Sequence, residues 1–157
     1  MTTVNIGLNE AARTSVAQAL NNTLADTYGL YMKTHAYHWN VTGPQFHTLH
    51  VMFEEQYREM WAALDEIAER VRALGVFAPS SGKALSDLMV IDNADAEPPA
   101  GPAMIERLLD GHETLIRRAR EALSVAEEAG DAASADLLTV RIQTHEKTAW
   151  MLRSMTQ

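Results

Sequence analysis

The sequence predicts an all-α fold, an antiparallel four-helix bundle with one long crossing between its second and third helices. Two observations carry this. Proline and glycine are confined to a few places that divide the 157 residues into four long segments, each of roughly 20–30 residues and free of internal helix breakers other than single glycines. Within those segments apolar residues recur at helical spacing, with no strand-like alternation, internal repeat or low-complexity tract. Four helices joined by two short connections and one long one fit a bundle. The whole chain, 1–157, reads as one domain.

Asn9 is placed to cap a first helix running to about Trp39, in which Leu24, Tyr31 and His38 fall at heptad spacing. The run NVTGP breaks it, and Pro44 suits the first turn of the next helix. That second helix spans Gln45 to Leu74, with Gly75 at the C′ position. The connection 75–101 is too long to be idle in a compact bundle, so part of it is expected to be ordered, with a short helix over Lys83–Val90. Pro102 opens the third long helix, which ends at Ala129 before Gly130. The fourth runs from Asp131 to about Arg153, with Trp150 expected in the core.

Acidic residues outnumber basic ones 21 to 13, for a net charge of −8 with neutral histidines. Such a chain gathers cations and repels phosphate, which disfavours plain electrostatic capture of nucleic acid. The absence of cysteine excludes a disulfide scaffold, a zinc ribbon and a thiol nucleophile. The opening MTTVNIGLNE has neither a basic region nor a long apolar run, and no later stretch is apolar for long enough to span a bilayer. The expectation is a soluble protein of a reducing, cytoplasmic compartment.

Chemistry concentrates on the second helix. With His50 at zero and about 100° per residue, Glu54 falls near 40°, Asp65 near 60° and Glu69 near 100°. The apolar residues Phe46, Leu49, Phe53, Met60, Leu64, Ile67 and Val71 occupy a separate arc of roughly 260–320°. One histidine and three carboxylates thus form a stripe beside the core face. His50 and Glu54 can share an ion, as can Asp65 and Glu69, but about 16 Å of helix axis separates the pairs. A second copy of the helix, antiparallel about a two-fold near the level of Glu59 and Met60, closes that gap and creates two equivalent shared sites. His38, on the inward heptad of the first helix, can return beside His50 across the NVTGP break. Two imidazoles and three carboxylates suit Fe(II), with Zn(II) or Mn(II) as competitors. A core histidine next to ordinary surface acids explains the same residues equally well.

At these residues the sequence resembles the Dps family, the miniferritins or DNA-binding proteins from starved cells. The matching run is KTHAYHWNVTGPQFHTLHVMFEEQYREMWAALDEIAERVRALG, with its HWN, G-x-x-F, LH, a following carboxylate and D-x-x-A-E-R; a second match is ADLLTVRIQTHEKTAWMLR. No E-x-x-H motif is present, unlike the ordinary di-iron ferritins and bacterioferritins. The resemblance implies a ferritin-like four-helix bundle with a short helix in the crossing, assembled as a hollow homo-dodecamer from two-fold dimers. It implies a ferroxidase with two iron ions per shared site, ligated by His38, His50 and Glu54 of one subunit and Asp65 and Glu69 of the mate. It further implies oxidation of Fe(II), preferably by hydrogen peroxide, storage of ferric mineral, and protection against oxidative damage.

Trp39 resembles the family's site-side tryptophan, which orients solvent or absorbs an oxidising equivalent; packing explains it as well. Asp136 matches a position lining an acidic three-fold pore, and Asp131 either joins it or simply caps a helix. Glu55 and Glu59 either face the cavity and nucleate mineral or are plain surface acids. His35 and His47 read as structural or exposed, His112 has no evident partner, and His145 and Glu146 read as interface or packing. A nucleoid role is the alternative function, but a basic tail is lacking: no basic residue precedes Arg13, the end MLRSMTQ has a single Arg, and the lysines are Lys33, Lys83 and Lys147. DNA binding is therefore expected to be weak or absent at physiological salt. A shell whose metal site is idle or zinc-filled is a third reading.

Overall fold

The computed structural model describes residues 4–92 and 96–157. Among the described residues five helices form in order: α1 (Glu10–Asn40), α2 (Phe46–Ala73), α3 (Gly82–Leu88), α4 (Gly101–Glu128) and α5 (Ala132–Ser154). Their ends lie within two residues of those the sequence predicts, because the signals used are the ones that act. Asn9 accepts a hydrogen bond from the Ala12 amide at the start of α1, and Ser81 does the same for Ala84 in α3. Gly75 and Gly130 adopt φ of +86° and +71°, the left-handed conformation that closes α2 and α4.

Short connections make α1–α2 and α4–α5 antiparallel pairs. Gly101, at the start of α4, lies against Leu49 and Val41, so α4 begins at the end of the bundle where α2 also begins. The crossing therefore travels the length of the bundle, and α4 runs parallel to α2. Along the way Met89 packs on Gly29 of α1 so closely that a Cβ there would lie 2.5 Å from its sulfur.

A polar feature that the heptad reading of the first helix passed over orders the crossing. Asp26 is fully buried on α1. Its carboxylate accepts hydrogen bonds from the amides of Val90 and Ile91 at 2.8 and 3.4 Å and from Arg118 Nε at 2.9 Å. Arg118 also donates to the Leu88 carbonyl. One buried charge thus fastens the middle of the crossing to both α1 and α4.

The core is divided in two. Leu30, Tyr37, Leu49, Phe53, Met60, Leu108 and Leu115 fill the end near the α1–α2 turn, while Leu20, Leu24, Ile67, Val71, Ala126 and Leu138 fill the other. Buried polar groups, including His112, Arg141 and His145, accompany these apolar side chains. The expectation for Trp150 is corrected: it is 61% exposed, because Ala149 and Leu152 take the inward positions at that end of α5.

Candidate metal centre

His38 occupies the last turn of α1 and His50 an early turn of α2, and the turn between them returns the chain sharply. Gly43 makes this possible with φ of +100°, its carbonyl accepting from the Phe46 amide. The two imidazoles then stack, with centroids 3.8 Å apart and planes at 16°. His38 Nδ1 donates to the His50 carbonyl at 2.7 Å, and His50 Nδ1 donates to the His38 carbonyl at 2.8 Å. A carbonyl oxygen only accepts, so both rings carry their proton on Nδ1 and present the Nε2 lone pair. This is how backbone carbonyls orient histidines as metal ligands.

Glu54 follows one turn after His50. Its carboxylate is held by Arg58, with N–O distances of 2.7 and 2.9 Å. That hydrogen bond pulls its pKa below the ordinary carboxylate value; desolvation opposes the shift and the charge of Arg58 assists it. Glu54 is an anion ready for a cation, with Arg58 as the competitor already present. Asp65 and Glu69 lie further along α2, both exposed. Asp65 borders an open hollow of about 700 Å³ with Tyr28 and Trp61, and Glu69 borders another with Glu66, Asp136 and Arg141. Among the described residues of one subunit, no three His, Asp or Glu side chains gather into a metal-binding cluster. The structure thus brings His38 and His50 together, sets Glu54 one turn on, and leaves Asp65 and Glu69 distant on the same helix.

Met60 is itself fully buried, and at that level of α2 the residue facing outward is Trp61, 60% exposed. Trp39 (65%), Met32 (46%), Phe46 (44%) and Val51 (39%) are also uncovered apolar side chains on α1 and α2. The Trp39 ring lies 4.2 Å from His35, which also stacks on Tyr57.

The remaining candidates separate clearly. Of the two readings open for Asp131, the structure displays the cap: the carboxylate is 3% exposed, accepts from the Ser134 amide, and is gripped by Arg70 of α2 at 2.8 and 3.0 Å. Desolvation would raise its pKa, but Ser134 and Arg70 together bring it below the ordinary value. Asp136, one turn later, is exposed and borders a surface hollow with Glu127, Gly130 and Thr139. Glu59 is engaged by both terminal nitrogens of Arg141, whereas Glu55 is exposed. Glu146 is exposed and pairs with Arg120.

Sequence reasoning found no partner for His112, because its partner lies on another helix. His112 Nδ1 and His145 Nδ1 are 2.9 Å apart, and both rings are buried. Arg141 donates to His145 Nε2 at 3.0 Å, and a guanidinium has no acceptor to offer in return. His145 therefore carries its proton on Nδ1 and donates it to His112, whose own N–H falls on Nε2, buried and unpartnered. Burial, reinforced by Arg141, lowers the His112 pKa to about 3, and burial with the same neighbours puts His145 well below its ordinary value.

Helix order, the long crossing and the paired histidines define a ferritin-like protein, and a ferritin-like domain family model matches residues 17–157. The chain superposes on the Dps protein of Vibrio cholerae, described as a member of a broad superfamily of ferritin-like diiron-carboxylate proteins, with a TM-score of 0.93, 31% identity and coverage of 100% and 99% of the two chains. Against a Dps protein from Bacillus brevis the TM-score is 0.90 at 33% identity, covering all of both chains. In sequence it is 36% identical to DNA protection during starvation protein 2 of Bacillus anthracis over 139 residues, 88% of this chain and 94% of that protein. It is 41% identical to an uncharacterized low temperature-induced protein of Nostoc sp. over 155 residues, 98% and 87% of the two. The chain belongs to the Dps family of the ferritin-like superfamily. No helix among the described residues is long and apolar enough to cross a membrane.

Proposed function

We propose that the protein is a cytoplasmic ferroxidase and iron-storage miniferritin, built as a hollow dodecamer from two-fold dimers. The observation that carries this reading is the reciprocal His38–His50 arrangement, which presents two Nε2 lone pairs beside an ionised Glu54. Asp65 and Glu69 of a two-fold mate complete each site, across a contact that covers Trp61 and the other apolar side chains uncovered on α1 and α2. Iron is the substrate. Two Fe(II) give up one electron each to a peroxide, yielding two Fe(III) and two hydroxides, so both oxidising equivalents are consumed without release of hydroxyl radical. The protein holds the pair in fixed geometry with open coordination positions, and Trp39 orients solvent or takes up a stray oxidising equivalent. Zinc competes for the same ligands.

Asp136 lines the entrance through which Fe(II) is drawn; Asp131, spent on Arg70, supports the turn behind it. Glu55 is the freer candidate to nucleate mineral, since Glu59 is neutralised by Arg141. With acidic residues outnumbering basic ones 21 to 13, DNA binding is weak or absent, and tight binding above ~100 mM salt in a gel shift would contradict this. The deciding experiment is stopped-flow oxidation of Fe(II) by peroxide in the wild type and in the double variant His38→Ala, His50→Ala. An unchanged rate in the double variant removes the ferroxidase assignment. Fe(II)-soaked anaerobic crystals would reveal whether the ligands come from two chains.

A further inference from the structure

His35 and the tyrosines around it have no part in the proposed iron site. Tyr31 Oη and His35 Nδ1 lie 3.1 Å apart, one helical turn from each other on α1. Tyr57 of α2 stacks on His35, with centroids 3.8 Å apart and planes at 16°, and meets His38 edge-on at 5.2 Å. Tyr31 lies 6.3 Å from Tyr57, 5.4 Å from Trp61 and 6.1 Å from Tyr28. A continuous path of oxidisable rings therefore leads from His38 to a phenol hydrogen-bonded to an imidazole.

Oxidising a phenol by one electron makes it a very strong acid, so the electron leaves readily only where a base accepts the proton. His35 Nδ1, 3.1 Å from the Tyr31 hydroxyl, is placed to be that base. Tyr31 remains a protonated phenol, its pKa raised by burial and by Tyr28 and Tyr57. The Tyr31 hydroxyl is thus a phenol paired with an imidazole nitrogen.

We propose that Tyr31 and His35 form a proton-coupled electron donor that disarms one-electron oxidants escaping the histidine end of the site, with Tyr57 as the bridging ring. The step balances: a hydroxyl radical takes one electron and becomes hydroxide, Tyr31–OH becomes the neutral phenoxyl radical, and its proton moves to His35 Nδ1. A further Fe(II) then returns an electron as the proton moves back, giving Fe(III) and restoring the pair. The source of the oxidant rests on the ferroxidase reading; the donor itself does not.

The test uses iron-free protein and photogenerated ruthenium(III) tris-bipyridine as the one-electron oxidant, so loss of ferroxidase activity cannot mimic failure. Freeze-quenched electron paramagnetic resonance of the wild type should show a neutral tyrosyl signal that Tyr31→Phe removes. His35→Phe should lower the rate of tyrosyl formation by about tenfold, close to 1.4 kcal/mol of barrier, and remove the solvent deuterium effect seen in the wild type. Tyr28→Phe, which leaves the pair intact, should change neither and controls for the cost of losing a phenol. An undiminished tyrosyl signal in Tyr31→Phe, or an unaltered rate and deuterium effect in His35→Phe, would overturn the proposal.

Discussion

His38 and His50 hold one another through the main chain: each Nδ1 donates to the other's carbonyl, at 2.7 and 2.8 Å, while the rings stack 3.8 Å apart. Neither ring can be moved without releasing the other, so the pair is oriented before any ion arrives. Neutron diffraction from crystals exchanged into heavy water should find deuterium on Nδ1 and none on Nε2 of both rings. Deuterium on either Nε2 would mean that the nitrogen is not available as a ligand.

Arg58 occupies the Glu54 carboxylate in the absence of a cation. Arg58→Ala should tighten binding of zinc, a non-oxidisable stand-in for Fe(II), by a small factor of roughly two to five, the scale on which exposed ion pairs act. Isothermal titration at low ionic strength measures this, and the gain should shrink as salt is added.

The neutral His112–His145 pair makes stability depend on acid. Both folded pKa values lie below that of an unfolded histidine, so below about pH 6.5 the unfolded chain binds protons that the folded one refuses. Stability is then lost as pH falls, at about 1.4 kcal/mol per pH unit for each histidine, and the loss from His112 levels off only near its folded pKa of about 3. Denaturation midpoints at pH 7 and pH 5 should differ markedly in the wild type and less in His112→Gln. Equal pH dependence in the two proteins would contradict the neutral pair.

Asp26 accepts from two amides of the crossing and from Arg118. Asp26→Ala strands these donors and should cost about 3–5 kcal/mol, the usual consequence of removing one partner of a buried pair. Limited proteolysis should cut the variant near residues 88–92 before the wild type. Asp26→Asn, which keeps an acceptor oxygen, should be intermediate.

Asp131 and Asp136 should separate by readout. Asp131→Ala removes a helix cap and the partner of Arg70 and should lower stability by about 2–4 kcal/mol. Asp136→Ala should leave the melting temperature nearly unchanged and slow iron uptake. Matching effects of both on uptake, with stability unaltered, would restore Asp131 to the entrance.

Legibility in the sequence followed the range of each interaction. Asn9, Gly75 and Gly130 act within a turn of the chain, so they marked helix ends to within two residues. The stripe of His50, Glu54, Asp65 and Glu69 was readable because it lies on one helix with a known period. Trp150 was misplaced since an aromatic ring on a largely apolar helix carries no local mark of which face it takes. Arg141 with Glu59, Arg70 with Asp131, and Asp26 with Arg118 were all hidden, each joining residues far apart in the chain.

The sequence alone determined the helices, the acidic surplus and the separation along one helix that keeps Asp65 and Glu69 from reaching His50 within a subunit. These depend on hydrogen bonds and periodicity inside single segments, which need no knowledge of the partner helix. Tertiary structure alone decided which nitrogens of His38 and His50 are free, that Asp131 caps while Asp136 stays open, and that His145 donates to His112 in the interior. Those outcomes depend on which donors and acceptors meet when helices pack, and burial raises the cost of each group left unmatched.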